Sequence, residues 1–218
     1  MMTDYAIEVR KVTKNFGKTE ALKEVSVSFE KNKIYGLLGR NGAGKTTLIN
    51  IITNKIFANS GDILIYGDSA VENDRAQQNI FCMPPTGYYP YDIKVCHVFK
   101  WLKRFYPSLD MEYALSLAKK FNLDTNKKMK ELSTGYDTIC RIIPLLASDT
   151  PIIIFDEPVL GLDANHRDVF YKELISNYAK KPRTIIVSTH LIDEIADALE
   201  NIVIIKDGKI VLDQTAEK

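Results

Sequence analysis

Apolar positions in this chain fall into two regimes: short runs that alternate with polar residues or are wholly apolar, and longer segments at helical spacing. Between residues 5 and 30 the pattern predicts short strands. Ile7 and Val9 alternate, Phe16-Gly17-Lys18 is a turn signal, and Val25, Val27 and Phe29 alternate before Lys31-Asn32-Lys33 turns the chain back. This reads as an antiparallel ribbon leading into a buried strand, IYGLL at 34–38, followed by helical spacing over 47–53. A turn at 59–61, a strand around Ile63 and Ile65 ended by Gly67, a short helix at 74–78 and a strand at 80–83 come next. The stretch PPTGYYP at 84–90 has neither period and reads as a loop.

The pattern then turns helical. Residues 92–105 place Val98, Leu102 and Phe105 on one face, and 111–121 do the same with Ala114, Leu117, Ala118 and Phe121. Trp101, Phe105 and Tyr106 have two readings, an aromatic surface for a partner or ordinary core packing. A helix from about Ser133, a good N-cap, runs to about Ala147, and Pro144 inside it predicts a bend or two shorter helices. IIIF at 152–155 is a fully buried strand, 164–179 a helix, 184–188 a strand and 191–199 a helix. A terminal hairpin joins 202–205 to 210–212 through Asp207-Gly208, a two-residue turn signal. The sum is an α/β chain with an N-terminal antiparallel β portion and an inserted helical portion.

Composition narrows the class. A length of 218 residues suits one α/β domain. With 29 Lys+Arg against 28 Asp+Glu, the net charge of +1 carries no electrostatic footprint for nucleic acid. No apolar run reaches membrane-spanning length, and the N-terminus lacks a signal-peptide core, so the expectation is a soluble cytosolic chain. Cys82, Cys96 and Cys140 are scattered, which points to reduced thiols and not to a disulfide frame or a zinc site.

The chemistry starts at 39–47, GRNGAGKTT, which fits Gly, four residues, Gly-Lys-Thr between a strand and a helix start. Glycines let the backbone turn its N–H groups inward, and the helix end adds partial positive charge, so Gly39, Asn41, Gly42, Ala43, Gly44, Lys45, Thr46 and Thr47 form a cradle for phosphate. Lys45 would reach the β- and γ-phosphates of a nucleotide, and the Thr46 hydroxyl would ligate Mg²⁺. Phe16, upstream beside a turn, either stacks on a base or simply packs. A second constellation is Asp156-Glu157 at the C-terminal end of a buried strand, where alternation sends the two side chains to opposite sides. Asp156 would hold Mg²⁺ through water, and Glu157 would orient or deprotonate an attacking water.

Taken in order, these segments resemble the ATP-binding subunits of ABC transporters over nearly the whole chain. GRNGAGKTT is like the family's phosphate loop, LSTGY at 132–136 like its signature, IIIFDEP at 152–158 like its acidic strand, Gly161-Leu162-Asp163 like its dimer-contact loop, and Ser188-Thr189-His190 like its switch histidine. The resemblance implies a P-loop NTPase core with a mainly parallel sheet, an N-terminal antiparallel β subdomain and a helical subdomain at about 86–145, all within one ABC-type domain spanning 1–218. It implies ATP and Mg²⁺ as ligands and head-to-tail pairing, as a homodimer or heterodimer, with Ser133 and the Gly135 N–H of one copy closing on the γ-phosphate held by another. Asp163 would sit at that contact, His190 would hydrogen-bond the γ-phosphate, and Phe16 would lie where the family places its base-stacking aromatic. The helical portion would dock a separate integral-membrane permease, leaving this chain peripheral on the inner face of the cell membrane. The short C-terminus and modest helical portion look more like small bacterial exporters than importers.

Four positions depart from the pattern. Pro85 stands where the family usually has a glutamine that approaches Mg²⁺ and couples the site to the permease. Thr134 and Tyr136 replace a glycine and a glutamine in the signature, and Pro144 interrupts the helix after it. The alternative function they raise is an ATP-gated regulatory or binding protein with little hydrolysis.

Overall fold

The computed structural model describes residues 4–191 and 199–216. Its chain divides into two compact units, Met1–Cys82 with Pro151–Glu157 and Pro182–Lys218, and Met83–Thr150 with Pro158–Lys181.

The first unit opens with β1 (Tyr5–Phe16) and β2 (Thr19–Glu30), which form one long hairpin and not several short strands. The register shifts between Val9 and Val12, where Lys11 has φ 48°, and its N–H donates to Ser26 Oγ at 2.9 Å. That bulge resets the two-residue period, so Val9 and Val12 both reach the core although three positions apart. β3 (Ile34–Leu38) is buried throughout and leads into α1 (Lys45–Ile52). β4 (Ser60–Ile65), β5 (Asp68–Ser69), α2 (Asp74–Gln77) and β6 (Ile80–Cys82) follow, and β7 (Ile152–Asp156), β8 (Thr184–Thr189), β9 (Asn201–Lys206) and β10 (Lys209–Thr215) complete the unit.

Two sheets result. One is antiparallel in the order β2-β1-β4-β5. The other runs β10-β9-β3-β8-β7-β6, parallel except for the β9–β10 hairpin. That hairpin turns through Asp207 and Gly208 at φ 50° and 78°, both left-handed as a type I′ turn requires. Because β8 lies between β3 and β7 in register, the C-terminal ends of all three meet at one edge, with Leu38 beside Thr189 and Asp156 beside Ser188. Open α/β sheets bind ligands at such an edge. Leu37, Leu38, Ile152, Ile153, Ile154 and Phe155 are fully buried beneath it, each contributing about 1.5–3 kcal/mol by leaving water. Burial also pushes the Cys82 thiol up to about 11, and that of Cys140 higher still.

The second unit holds α3 (Val95–Phe105), α4 (Met111–Lys120), α5 (Thr134–Leu146) and α6 (Ala164–Lys180). It begins earlier and ends later than 86–145 and takes in α6 as well. Val98 and Leu102 are buried as their spacing predicts, but Phe105 is 63% exposed and Trp101 39%, their rings edge-to-face at 5.1 Å. α5 is one continuous helix, so of the two outcomes expected at Pro144, a bend or two shorter helices, the second does not occur. The proline falls in the last turn, where it removes one hydrogen bond, to the Cys140 carbonyl, and Ala147 N–H still closes the end on Ile143 O at 3.0 Å. The helix expected over 191–199 concerns residues of which 192–198 lie outside the described residues.

Candidate active site

The site is built at the sheet edge of the first unit. Gly44 caps α1 at φ 112°, a conformation that glycine adopts without strain, and a Cβ there would meet Ala21 O and Leu22 Cδ2, each at 2.9 Å. No side chain caps this helix, and no acid lies in its first turn, so the N–H groups that helix geometry leaves unpaired face outward with their partial positive charge. A cleft of about 760 Å³ runs along the loop, lined by 39–43, His190 and 204–207. That size suits a nucleotide-sized ligand.

Lys45 is only 6% exposed, and its Nζ donates to Gly39 O at 2.6 Å and Arg40 O at 3.4 Å. It also lies 3.2 Å from Glu157 Oε1. That contact is ionic without hydrogen-bond alignment, because Oε1 is buried and receives no hydrogen bond. The other oxygen, Oε2, lies 3.0 Å from His190 Nδ1. A carboxylate only accepts, so Nδ1 carries the hydrogen, and a neutral His190 presents Nε2 as an acceptor. For His190 to donate to a phosphate, the ring must be cationic or its bond to Glu157 must exchange.

Thr46 Oγ1 donates to Asp156 Oδ2 at 2.9 Å, and Ser188 Oγ donates to Asp156 Oδ1 at 2.8 Å. The two acids do not point to opposite sides. Glu157 adopts φ 50°, which breaks the strand's alternation and turns both carboxylates to the phosphate loop, Asp156 to Thr46 and Glu157 to Lys45. A non-glycine residue in that region carries about 1–2 kcal/mol of strain, a cost found where a side chain must be aimed. The Glu157 N–H, bonded to Ser188 O at 2.9 Å, holds it there.

The donor set fits Mg²⁺. The Thr46 hydroxyl and one Asp156 oxygen are hard oxygen donors side by side, and no cluster of three or more His, Cys, Asp or Glu able to hold a metal exists among the described residues. A cation that keeps several waters and completes its shell with substrate phosphate needs no more. Bound there, it would neutralise phosphate charge.

The remaining candidates are placed as follows. Phe16 is 51% exposed at the hairpin tip, with Lys14 Nζ 5.2 Å from its ring centroid, so it is not core. In the second unit Ser133 caps α5, its Oγ accepting from Tyr136 N–H at 3.4 Å, a weak bond that leaves the hydroxyl hydrogen for another acceptor. Gly135 packs so closely that a Cβ would lie 2.8 Å from Gly161 O. Asp163 caps α6: Oδ1 accepts from His166 N–H at 2.9 Å and Oδ2 meets His166 Nδ1 at 3.0 Å, and the first of these bonds chiefly holds its carboxyl below the usual range. His166 is structural, its Nε2 on Phe121 O at 3.1 Å. Pro85 is exposed, and its carbonyl accepts from Tyr88 N–H at 3.3 Å. The role of Ser188 in fixing Asp156 was not foreseen; its place directly before Thr189-His190 was the available signal.

Comparison with known proteins agrees with this geometry. Residues 22–160 match the family model described as ABC transporter. The ABC transporter ATP-binding protein YtrB of Bacillus subtilis is 34% identical over 206 residues, covering 94% of this chain and 70% of the relative. The bacitracin transport ATP-binding protein BcrA of Enterococcus faecalis is 26% identical, covering 97% and 70%. The dimeric structure of MJ0796, a bacterial ABC transporter cassette, superposes with a TM-score of 0.86 at 23% identity, over 97% of this chain and 99% of that one.

Proposed function

Since the chain belongs to the ABC transporter ATP-binding family, we propose that it is the ATPase subunit of a transporter whose membrane-spanning permease is a separate chain, and that it acts by ATP-driven head-to-tail pairing. The observation that carries hydrolysis is the buried, hydrogen-bond-free Glu157 Oε1 beside Lys45, an acceptor aimed at the phosphate loop where an attacking water would give up its proton. Lys45 and the loop amides bind the phosphates, Thr46 and Asp156 hold Mg²⁺, and His190 steadies Glu157. Ser133 and Gly135 of a second copy complete the site, and Asp163 lies at the contact between copies. Phe16, exposed and backed by Lys14, stacks on the adenine. The whole of 1–218 acts as one ABC-type domain.

The surface of α3 supports a docking role. Its sequence VCHVFKWLKRF contains no acid, and a groove of about 460 Å³ is lined by Pro90, Ile93, His97, Lys100, Trp101 and Arg104. Asp92 nearby is already paired with Lys130 at 2.7 Å and Lys128 at 3.4 Å. A permease bound here places the chain on the cytoplasmic face of the membrane, and no described helix is itself long and apolar enough to cross one. A further relative, the Nod factor export ATP-binding protein I of Burkholderia lata, favours export as the direction. Lys100→Glu combined with Arg104→Glu should abolish recovery of the chain with the membrane fraction while ATP affinity of the isolated chain stays within about twofold, since surface changes away from a site have small effects. Undiminished membrane recovery would refute this docking surface.

A second reading, an ATP-gated regulator with little hydrolysis, is favoured by Pro85. Its exposed side chain has neither donor nor acceptor to offer a metal or water. Pro85→Gln, assayed with the permease present, should raise the coupled ATPase rate several-fold. Equal rates and equal coupling would show that Pro85 limits neither.

A further inference from the structure

Pro84 and Pro85 lie in sequence where the coupling loop is expected, and neither has an N–H. That loop can be tethered there only through its carbonyls, by a donor from elsewhere. Arg141 is that donor. It is 7% exposed and sits in the otherwise apolar middle of α5, where its guanidinium directs three bonds. Nη1 donates to Pro84 O, Nε to Asp137 Oδ2 and Nη2 to Thr138 Oγ1, each at 3.0 Å. Thr138 Oγ1, having accepted that hydrogen, passes its own to Leu160 O at 3.3 Å. Leu160 directly precedes Gly161, whose carbonyl lies against Gly135.

One buried network therefore joins three segments distant in sequence: the Pro84–Pro85 loop, the first turns of α5 beginning at Ser133, and the 160–163 loop ending at the Asp163 cap. The three guanidinium nitrogens each serve a different acceptor. Asp137 and Thr138 lie four and three residues before Arg141, on one helix face, so the fork is held flat by its own helix while Nη1 reaches out to Pro84. A lysine would offer a point charge in place of the fork and could not span these acceptors together.

We infer that Arg141 is a positioning residue that couples the proline loop to the signature turn and to the 160–163 loop, carrying motion between a partner and the closing site by a route that needs no glutamine side chain. This rests on the proposed pairing of two copies around ATP.

Hydrogen exchange of the full chain, with and without MgAMP-PNP, tests it. In the wild type, nucleotide should slow exchange by about tenfold at residues 133–138 and 160–163 and also at the amides of Thr86, Gly87 and Tyr88. Arg141→Lys and Arg141→Met should keep the effect at 133–138 and reduce it below about twofold at 86–88. Thr138→Val, which removes only the hydroxyl relay and should fold even where Arg141→Met does not, should lose the response at 160–163 and keep it at 86–88. Unaltered responses at 86–88 in both Arg141 variants, or at 160–163 in Thr138→Val, would overturn the coupling alone. A wild type that shows no slowing at 133–138 would overturn the pairing reading and this inference with it.

Discussion

Glu157→Gln should lower steady-state ATP turnover by about two to four orders of magnitude while leaving ATP binding intact, which is the range that a positioned general base contributes. The substitution is nearly isosteric, so the φ of 50° and the bond from Glu157 N–H to Ser188 O persist. What is lost is the acceptor of a proton at Oε1 and the charge facing Lys45 at 3.2 Å. Losing that charge frees Lys45 from a competitor for phosphate, so nucleotide affinity should hold or rise. Phosphate release under saturating MgATP, measured beside equilibrium nucleotide binding, separates the two effects. A wild type that hydrolyses no faster than the variant would remove the ATPase reading and leave the ATP-gated regulator in its place.

Lys45→Ala should weaken MgATP binding by about a hundredfold, the equivalent of one to two charge-assisted hydrogen bonds at about 1.5–3 kcal/mol each. Burial makes this position unforgiving. Removing the ammonium strips Gly39 O of its 2.6 Å donor and leaves Glu157 beside a cavity with no cation. Lys45→Arg should not rescue, because a planar five-donor fork does not fit a site that leaves Lys45 only 6% exposed. Titration calorimetry with a non-hydrolysable analogue reads the effect directly. Affinity within about threefold of wild type would mean that the loop's amides carry the binding without the lysine.

The sequence made the phosphate loop legible because its chemistry needs contiguous residues: glycines to bend, a lysine and a threonine at fixed offsets, a strand before and a helix after. The sheet was legible for a related reason, since β3 and β7 are buried on both faces and read as unbroken apolar runs. Three features were not. The bulge at Lys11 hid a 12-residue strand, because inserting one residue breaks the two-residue period by which strands are recognised. The direction of Glu157 depends on a single backbone torsion that composition does not encode. Arg141 reads in the sequence only as an interruption of the apolar run 139–147, because its partner Pro84, 57 positions away, is brought to it by folding. Pro144 is a case of the opposite kind: the helix ends near Ala147 as its pattern indicates, and the proline removes one hydrogen bond without dividing it.

The left-handed backbone at Glu157 places two unrelated demands on one position. A saturation library there would separate them: valine, isoleucine and threonine should lose folded protein as well as turnover, because branching at Cβ is incompatible with that torsion. Asparagine and glycine should relax the backbone, giving protein more heat-stable than its parent and catalytically silent. Among residues that tolerate the torsion, stability should therefore rise as activity is lost, and a chain selected for thermal robustness alone would drift toward losing its acid.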